Sequence, residues 1–148
     1  MTTYTVRVEL HEAGQHQYNQ LHDAMAKAQF SRTFVKDGRE VSLPRAEYRS
    51  TFEATVSAQD VADRLEPIAR AINPGGASVI VTSGDGFAGA GGFHPPELVY
   101  HLRPEQTGGT SFGKCGAAAL NEDLRPSEGD ARDQMSVRGG RLCTLCFR

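Results

Sequence analysis

Residues 57–83 read SAQDVADRLEPIARAINPGGASVIVTS, and their interpretation decides the fold. Ser57 is a residue type that caps a helix N-terminus, because its side chain accepts a bond from a backbone N–H that the first turn leaves free. Val61, Leu65, Ile68, Ala69 and Ile72 then recur at helical spacing and form one apolar stripe. Pro67 conflicts with that pattern, since proline lacks the N–H a helix interior needs, and it predicts a kink or a helix in two pieces. Asn73-Pro74-Gly75-Gly76 ends the helix. ASVIVTS follows as a short, continuous apolar run, which predicts a strand in a central, well-covered position. The stretch is therefore a helix returning to a sheet.

The segments upstream supply the rest of that sheet. Residues 4–10, YTVRVEL, alternate Tyr4, Val6, Val8 and Leu10 against Thr5, Arg7 and Glu9, the pattern of a half-buried strand. QHQYNQLHDAMAKAQF places Tyr18, Leu21, Met25 and Ala28 on one helical face, and it leaves His16 and His22 as expected surface residues. SRTFVKDGREVSL reads as a strand that turns at Asp37-Gly38, a dipeptide that tolerates the positive φ of a tight hairpin. After Pro44, AEYRSTFEATV is a further strand. The order over residues 3–83 is β-α-β-β-α-β, an α+β class with both helices covering one face of an antiparallel sheet, the ferredoxin-like arrangement.

A boundary follows. Residues 84–92, GDGFAGAGG, hold five of the 16 glycines, so 1–83 reads as one domain, 84–96 as a linker and 97–148 as a small second unit. In that unit ELVYHLR (97–103) is a short strand with Leu98, Tyr100 and Leu102 opposite Val99, His101 and Arg103. The remainder is poor in apolar residues, and NEDLRPSEGDARDQ has the composition of a disordered segment. Units this small ordinarily lean on a metal, a disulfide or a partner.

Charge narrows the functional classes. Formal net charge is −2, with nine Lys/Arg against ten Asp/Glu in residues 1–83 and seven against eight in the rest, so neither part has the basic balance of a non-specific nucleic-acid binder. Residues 32–49 are locally basic, with five cations and three anions, which reads either as a nucleic-acid strip or as a solvated hairpin. No basic-then-apolar leader and no apolar run of about 20 residues occurs, which predicts a cytoplasmic chain with no membrane contact. Three cysteines in such a chain argue against a disulfide framework.

Those cysteines are Cys115, Cys143 and Cys146, the last two in a Cys-x-x-Cys pair. Structural zinc takes four Cys or His ligands, so a fourth is needed. His101, on a strand, is the preferred one, and His94, in the linker, is the alternative. A redox pair would need a helix after the motif to lower a thiol pKa, and two residues do not make one. Unrelated thiols in a disordered tail, or a site shared by two copies, are the competing readings. The layout VYHLR, KCG, LCTLC resembles small bacterial and phage-encoded proteins in which a strand histidine precedes Cys-Gly and a Cys-x-x-Cys closes the chain. The resemblance implies bound zinc at His101, Cys115, Cys143 and Cys146.

In the first domain, His11 lies between Glu9 and Glu12 at the end of a strand. A histidine beside carboxylates can serve as general acid or base, and it can equally be a solvated loop residue. No phosphate-binding glycine loop, nucleophile elbow or zinc-protease motif is present. YTVRVELHEA, YNQLHDAM, FSRTF and LPRAEY resemble the antitoxin family of type V toxin–antitoxin systems, whose ferredoxin-like fold is similar to that of the CRISPR adaptation nuclease. The resemblance implies a regulator acting on RNA, with sequence-selective endoribonuclease activity on a toxin's messenger, and His11 and Arg32 are the catalytic candidates by position. The alternative is a non-catalytic protein-binding module, a toxin neutraliser or phage anti-defence inhibitor. Edge-to-edge pairing of such domains gives a homodimer by analogy.

Overall fold

The structure is a computed structural model that describes residues 1–53, 55–84, 86–102, 124–125 and 128–147. Helices and strands are mixed, an α+β class. The alternating residues form β1 (Thr2–Leu10), and every inward position from Tyr4 to Leu10 is buried while Arg7 and Glu9 are exposed. Antiparallel neighbours flank it on both sides, β4 (Glu47–Phe52) with Val6 opposite Tyr48, and β5 (Ala77–Ser83) with Val6 opposite Val81. The sheet order is β4-β1-β5.

Two helices cover one face. In α1 (Gln15–Lys27), Tyr18, Leu21 and Met25 point into the core, and in α2 (Ala58–Ile72) Val61, Leu65 and Ala69 do so. Apolar side chains at these spacings come off one side of a helix, and that side meets Tyr4, Val6, Val8, Leu10 and Tyr48. Ser57 caps α2 as its sequence predicts. The Asp60 amide donates to Ser57 Oγ (3.0 Å), and Asp60 Oδ2 accepts from the Ser57 amide (2.8 Å). Pro67 does not divide α2, which runs in one piece from Ala58 to Ile72. Pro67 and Asp63, whose carbonyl loses its donor, are both exposed, so water can satisfy that carbonyl.

Two strand expectations change. The segment around Asp37-Gly38 is not a strand of the main sheet. It forms a hairpin of its own, β2 (Thr33–Lys36) with β3 (Arg39–Ser42), closed by Asp37 (φ 51°) and Gly38 (φ 75°). A bridge between Ser31 and Arg49 ties its approach to β4, and Ser50 Oγ donates to the Gln29 carbonyl at 2.6 Å. ASVIVTS, expected at the centre of the sheet, lies at its edge as β5, with Ile80 65% exposed. The central place belongs to β1.

Downstream, residues 86–96 run against the hairpin. The Ser42 amide donates to the carbonyl of His94 (2.8 Å), and Phe34 packs edge-on against Phe87 and Phe93 at centroid distances of 5.3 and 5.0 Å. β6 (Val99–Leu102) is then flanked in parallel by β7 (Leu124–Arg125) and β8 (Arg141–Leu142), and α3 (Glu128–Arg138) occupies part of the polar segment that resembles a disordered one. Tyr100 and His101 are both buried, although neighbours on a strand point to opposite faces, and α3 packs against β6. Gly140 (φ 94°) lets the chain pass from α3 into β8, where a Cβ would sit 2.5 Å from the Leu98 carbonyl oxygen.

Candidate metal centre and the groove beside it

Parallel pairing of β8 with β6 sets Cys143 beside Tyr100, whose carbonyl accepts from the Cys143 amide at 2.9 Å. The chain then turns through residues 144–146, and the Phe147 amide bonds back to the Cys143 carbonyl at 3.1 Å. That turn carries the Cys146 thiol to within 3.7 Å of His101 Nδ1. One donor atom each from His101, Cys143 and Cys146 then lies within 4.8 Å of the others. Tetrahedral coordination with metal–sulfur bonds of about 2.3 Å and metal–nitrogen bonds of about 2.0 Å separates two ligand atoms by about 3.6 Å, so the Cys146–His101 spacing fits such a centre. Two thiols and an imidazole form a donor set suited to a borderline-soft cation, and this group could hold a metal ion. Cys115, expected as a further ligand, lies outside the described residues. His94 is not part of the group, and its carbonyl is engaged by the hairpin.

The same turn is fastened to the first helix. Asp23 Oδ2 accepts from the Thr144 amide (2.7 Å) and from Thr144 Oγ1 (2.6 Å), within the Cys-x-x-Cys itself. Arg141 adds a two-pronged contact, Nη1 to Oδ2 at 3.0 Å and Nη2 to Oδ1 at 2.9 Å, and its Nε donates to Glu97 at 3.0 Å. Sequence reading missed Asp23, which lies on the face of α1 next to the core stripe. Its partners are more than a hundred positions away, and no local signal marks them.

Between these elements runs a groove of about 550 Å³ lined by His22, Asp23, Arg32, Glu97, His101 and Arg141 among others. His22 is a correction to the surface position expected for it. It is 4% exposed, and its Nδ1 lies 2.7 Å from the Tyr48 hydroxyl. Burial, with Arg32, Arg141 and Arg45 nearby, lowers its pKa to about 3, so the ring is neutral at physiological pH. Burial also raises the Tyr48 pKa, so the phenol stays protonated.

The chain matches no family model, no curated protein and no solved structure.

His11 and Arg32 have different surroundings. His11 is exposed, with Nε2 2.9 Å from Ser78 Oγ and its amide bonded to the Gly76 carbonyl. Arg32 lines the groove, its Nη1 is 3.6 Å from Glu97, and its buried Nε has no acceptor among the described residues. Burial lowers its pKa, with Tyr48 and Glu97 acting in the opposite direction. No hydrogen bond or ion pair among the described residues joins the two. A different cluster emerges from the basic 32–49 segment. The Arg49 guanidinium lies 3.9 Å from the Phe87 ring centroid, and Lys36 Nζ lies 5.8 Å from that of Phe93. Phe87 is 36% exposed. This cluster has no signature in local sequence, because Phe87 sits in a glycine run that reads as linker.

Proposed function

We propose that this protein is a small antitoxin-like regulator that binds RNA without cleaving it, with its C-terminal segment stapled by a structural zinc ion. The observation that carries the reading is the patch of Phe34, Phe87, Phe93, Arg49 and Lys36, where cations lie over aromatic rings. Single-stranded nucleic acid is held by that combination, since bases stack on aromatic or guanidinium faces while the cations meet phosphates. The acidic net charge opposes long-range attraction, so binding would be local, modest and selective for unpaired strands. Binding without cleavage is supported by the separate settings of His11 and Arg32.

The ferredoxin-like reading is supported by the β4-β1-β5 order and by the Ser31–Arg49 bridge, where a fourth strand would join beside β4. Zinc is supported by the donor set. Bound at His101, Cys143 and Cys146, it would cross-link a strand to the C-terminal turn, and Cys115 would complete four protein ligands.

The test is fluorescence anisotropy of a labelled single-stranded RNA at low and at moderate salt. The expected result is salt-sensitive binding, weakened about tenfold by Phe87→Ala or Arg49→Ala, in line with about 1–3 kcal/mol for one stacked base. Absence of binding at low ionic strength overturns the reading and leaves the protein-binding inhibitor in its place.

A further inference from the structure

We infer that β5 pairs with β5 of a second copy of this chain across a two-fold axis at Ile80, joining the two sheets into one. The argument starts from hydrogen-bond parity. The His11 amide bonds to the Gly76 carbonyl, and the Gly84 amide bonds to the Thr3 carbonyl, each at 3.0 Å. Between those points β1 and β5 pair residue for residue without a bulge, Leu10 opposite Ala77 through to Tyr4 opposite Ser83. Antiparallel ladders alternate, so the even-numbered residues Ser78, Ile80 and Thr82 turn their backbone groups toward β1. Ala77, Val79, Val81 and Ser83 turn theirs outward, and no partner for them is present among the described residues.

That outward edge is self-complementary. A dyad at Ile80 places Val79 opposite Val81 and Ala77 opposite Ser83 of the other copy. All of these are outward-facing residues, so each pair exchanges both backbone bonds. The intervening pairs also match. Ser78 meets Thr82, and Ile80 meets Ile80 with Cα atoms about 4.5 Å apart. Cross-strand pairs of β-branched residues and of hydroxyl residues are the favourable ones. Shifting the dyad to Val79 or Val81 pairs the same odd-numbered residues but shortens the ladder, and a dyad between two residues sets outward groups against inward ones.

Two further observations favour a second copy. Edge strands are ordinarily protected by lysine, proline, inward charge or a bulge, and ASVIVTS carries none of these. Ile80 is 65% exposed on the open face of the sheet. The residue pattern of β5 is that of a covered, central strand, and a second copy would make it one.

The experiment measures oligomeric state by light scattering on the full chain, with two opposite substitutions at the dyad. Wild type is expected to be a dimer at micromolar concentration. Ile80→Lys and Ile80→Glu each set like charges face to face, and each is expected to weaken dimerisation by at least about tenfold while circular dichroism stays unchanged. Mixing the two variants is expected to restore a dimer, because Lys then meets Glu only where residue 80 faces itself. A wild type that stays monomeric overturns the inference. So does a dimer that tolerates both single substitutions, or a mixture that fails to reassociate.

Discussion

Asp23 is 3% exposed and holds the guanidinium of Arg141 together with the amide and hydroxyl of Thr144. A carboxylate this deep is stable only because every donor around it is aimed at it, and removing its charge leaves Arg141 buried with Glu97 alone. Asp23→Asn is therefore expected to lower stability by about 2–3 kcal/mol in urea unfolding, with hydrogen exchange accelerated first in residues 141–147. The neighbour of Asp23 in α1, His22, gives the stability a pH dependence. Its pKa falls from 6.5 when unfolded to about 3 when folded, so below pH 6.5 the unfolded chain takes up a proton that the folded chain refuses. Stability from this group is fully present above pH 6.5 and is lost as pH falls toward 3, at up to about 1.4 kcal/mol per pH unit. Urea midpoints at pH 7.5 and 5.5 should differ accordingly in wild type, and His22→Gln should remove that share of the difference. An equal pH dependence in the variant would assign it to other groups.

Helix α2 shows how an element can override one unfavourable residue. Its capping box and the Val61, Leu65 and Ala69 stripe hold the segment helical through Pro67, whose missing N–H would have bonded Asp63. Because position 67 is exposed, Pro67→Ala restores that bond without disturbing the core, and a gain of up to about 3 kcal/mol is expected as a higher thermal midpoint. No gain would mean that the substitution at 67 relieves nothing. The stripe and the cap were legible in the sequence because both are local patterns, set by spacing and by residue type. The same holds for the Asp37-Gly38 turn, where two residues with positive φ suffice. His22 and Asp23 were not legible, since their burial depends on Tyr48, Arg141 and Thr144, which are distant in sequence. The edge position of β5 was misread for a related reason: an apolar run records how much cover a strand needs, and it does not record its place in the strand order. Among the candidate ligands, the Cys-x-x-Cys spacing brought Cys143 and Cys146 within reach of one cation, and strand pairing of β6 with β8 then supplied His101.

At the scale of the molecule, the group that could hold a metal ion and the Asp23 contacts share one short turn. Thr144 lies between Cys143 and Cys146, so the bonds that fix it to α1 also fix the relative placement of the two thiols. A site whose ligands are already positioned binds its ion more tightly than one that must order them, and the ordering cost appears as lost affinity. Metal binding and docking of the C-terminal turn are therefore expected to reinforce each other, and the coupling is reciprocal. An ion that binds the folded chain at 100 times its Kd adds about 2.7 kcal/mol of stability. Wild type titrated with zinc should show a rising thermal midpoint that a chelator reverses, and Cys143→Ser should abolish the rise. In Asp23→Asn the midpoint should rise less at the same zinc concentration, with a correspondingly weaker Kd by competition with a chromophoric chelator. An undiminished response in Asp23→Asn would mean that the turn is ordered by the metal alone, and the contacts on α1 would then be a consequence of binding rather than a part of it.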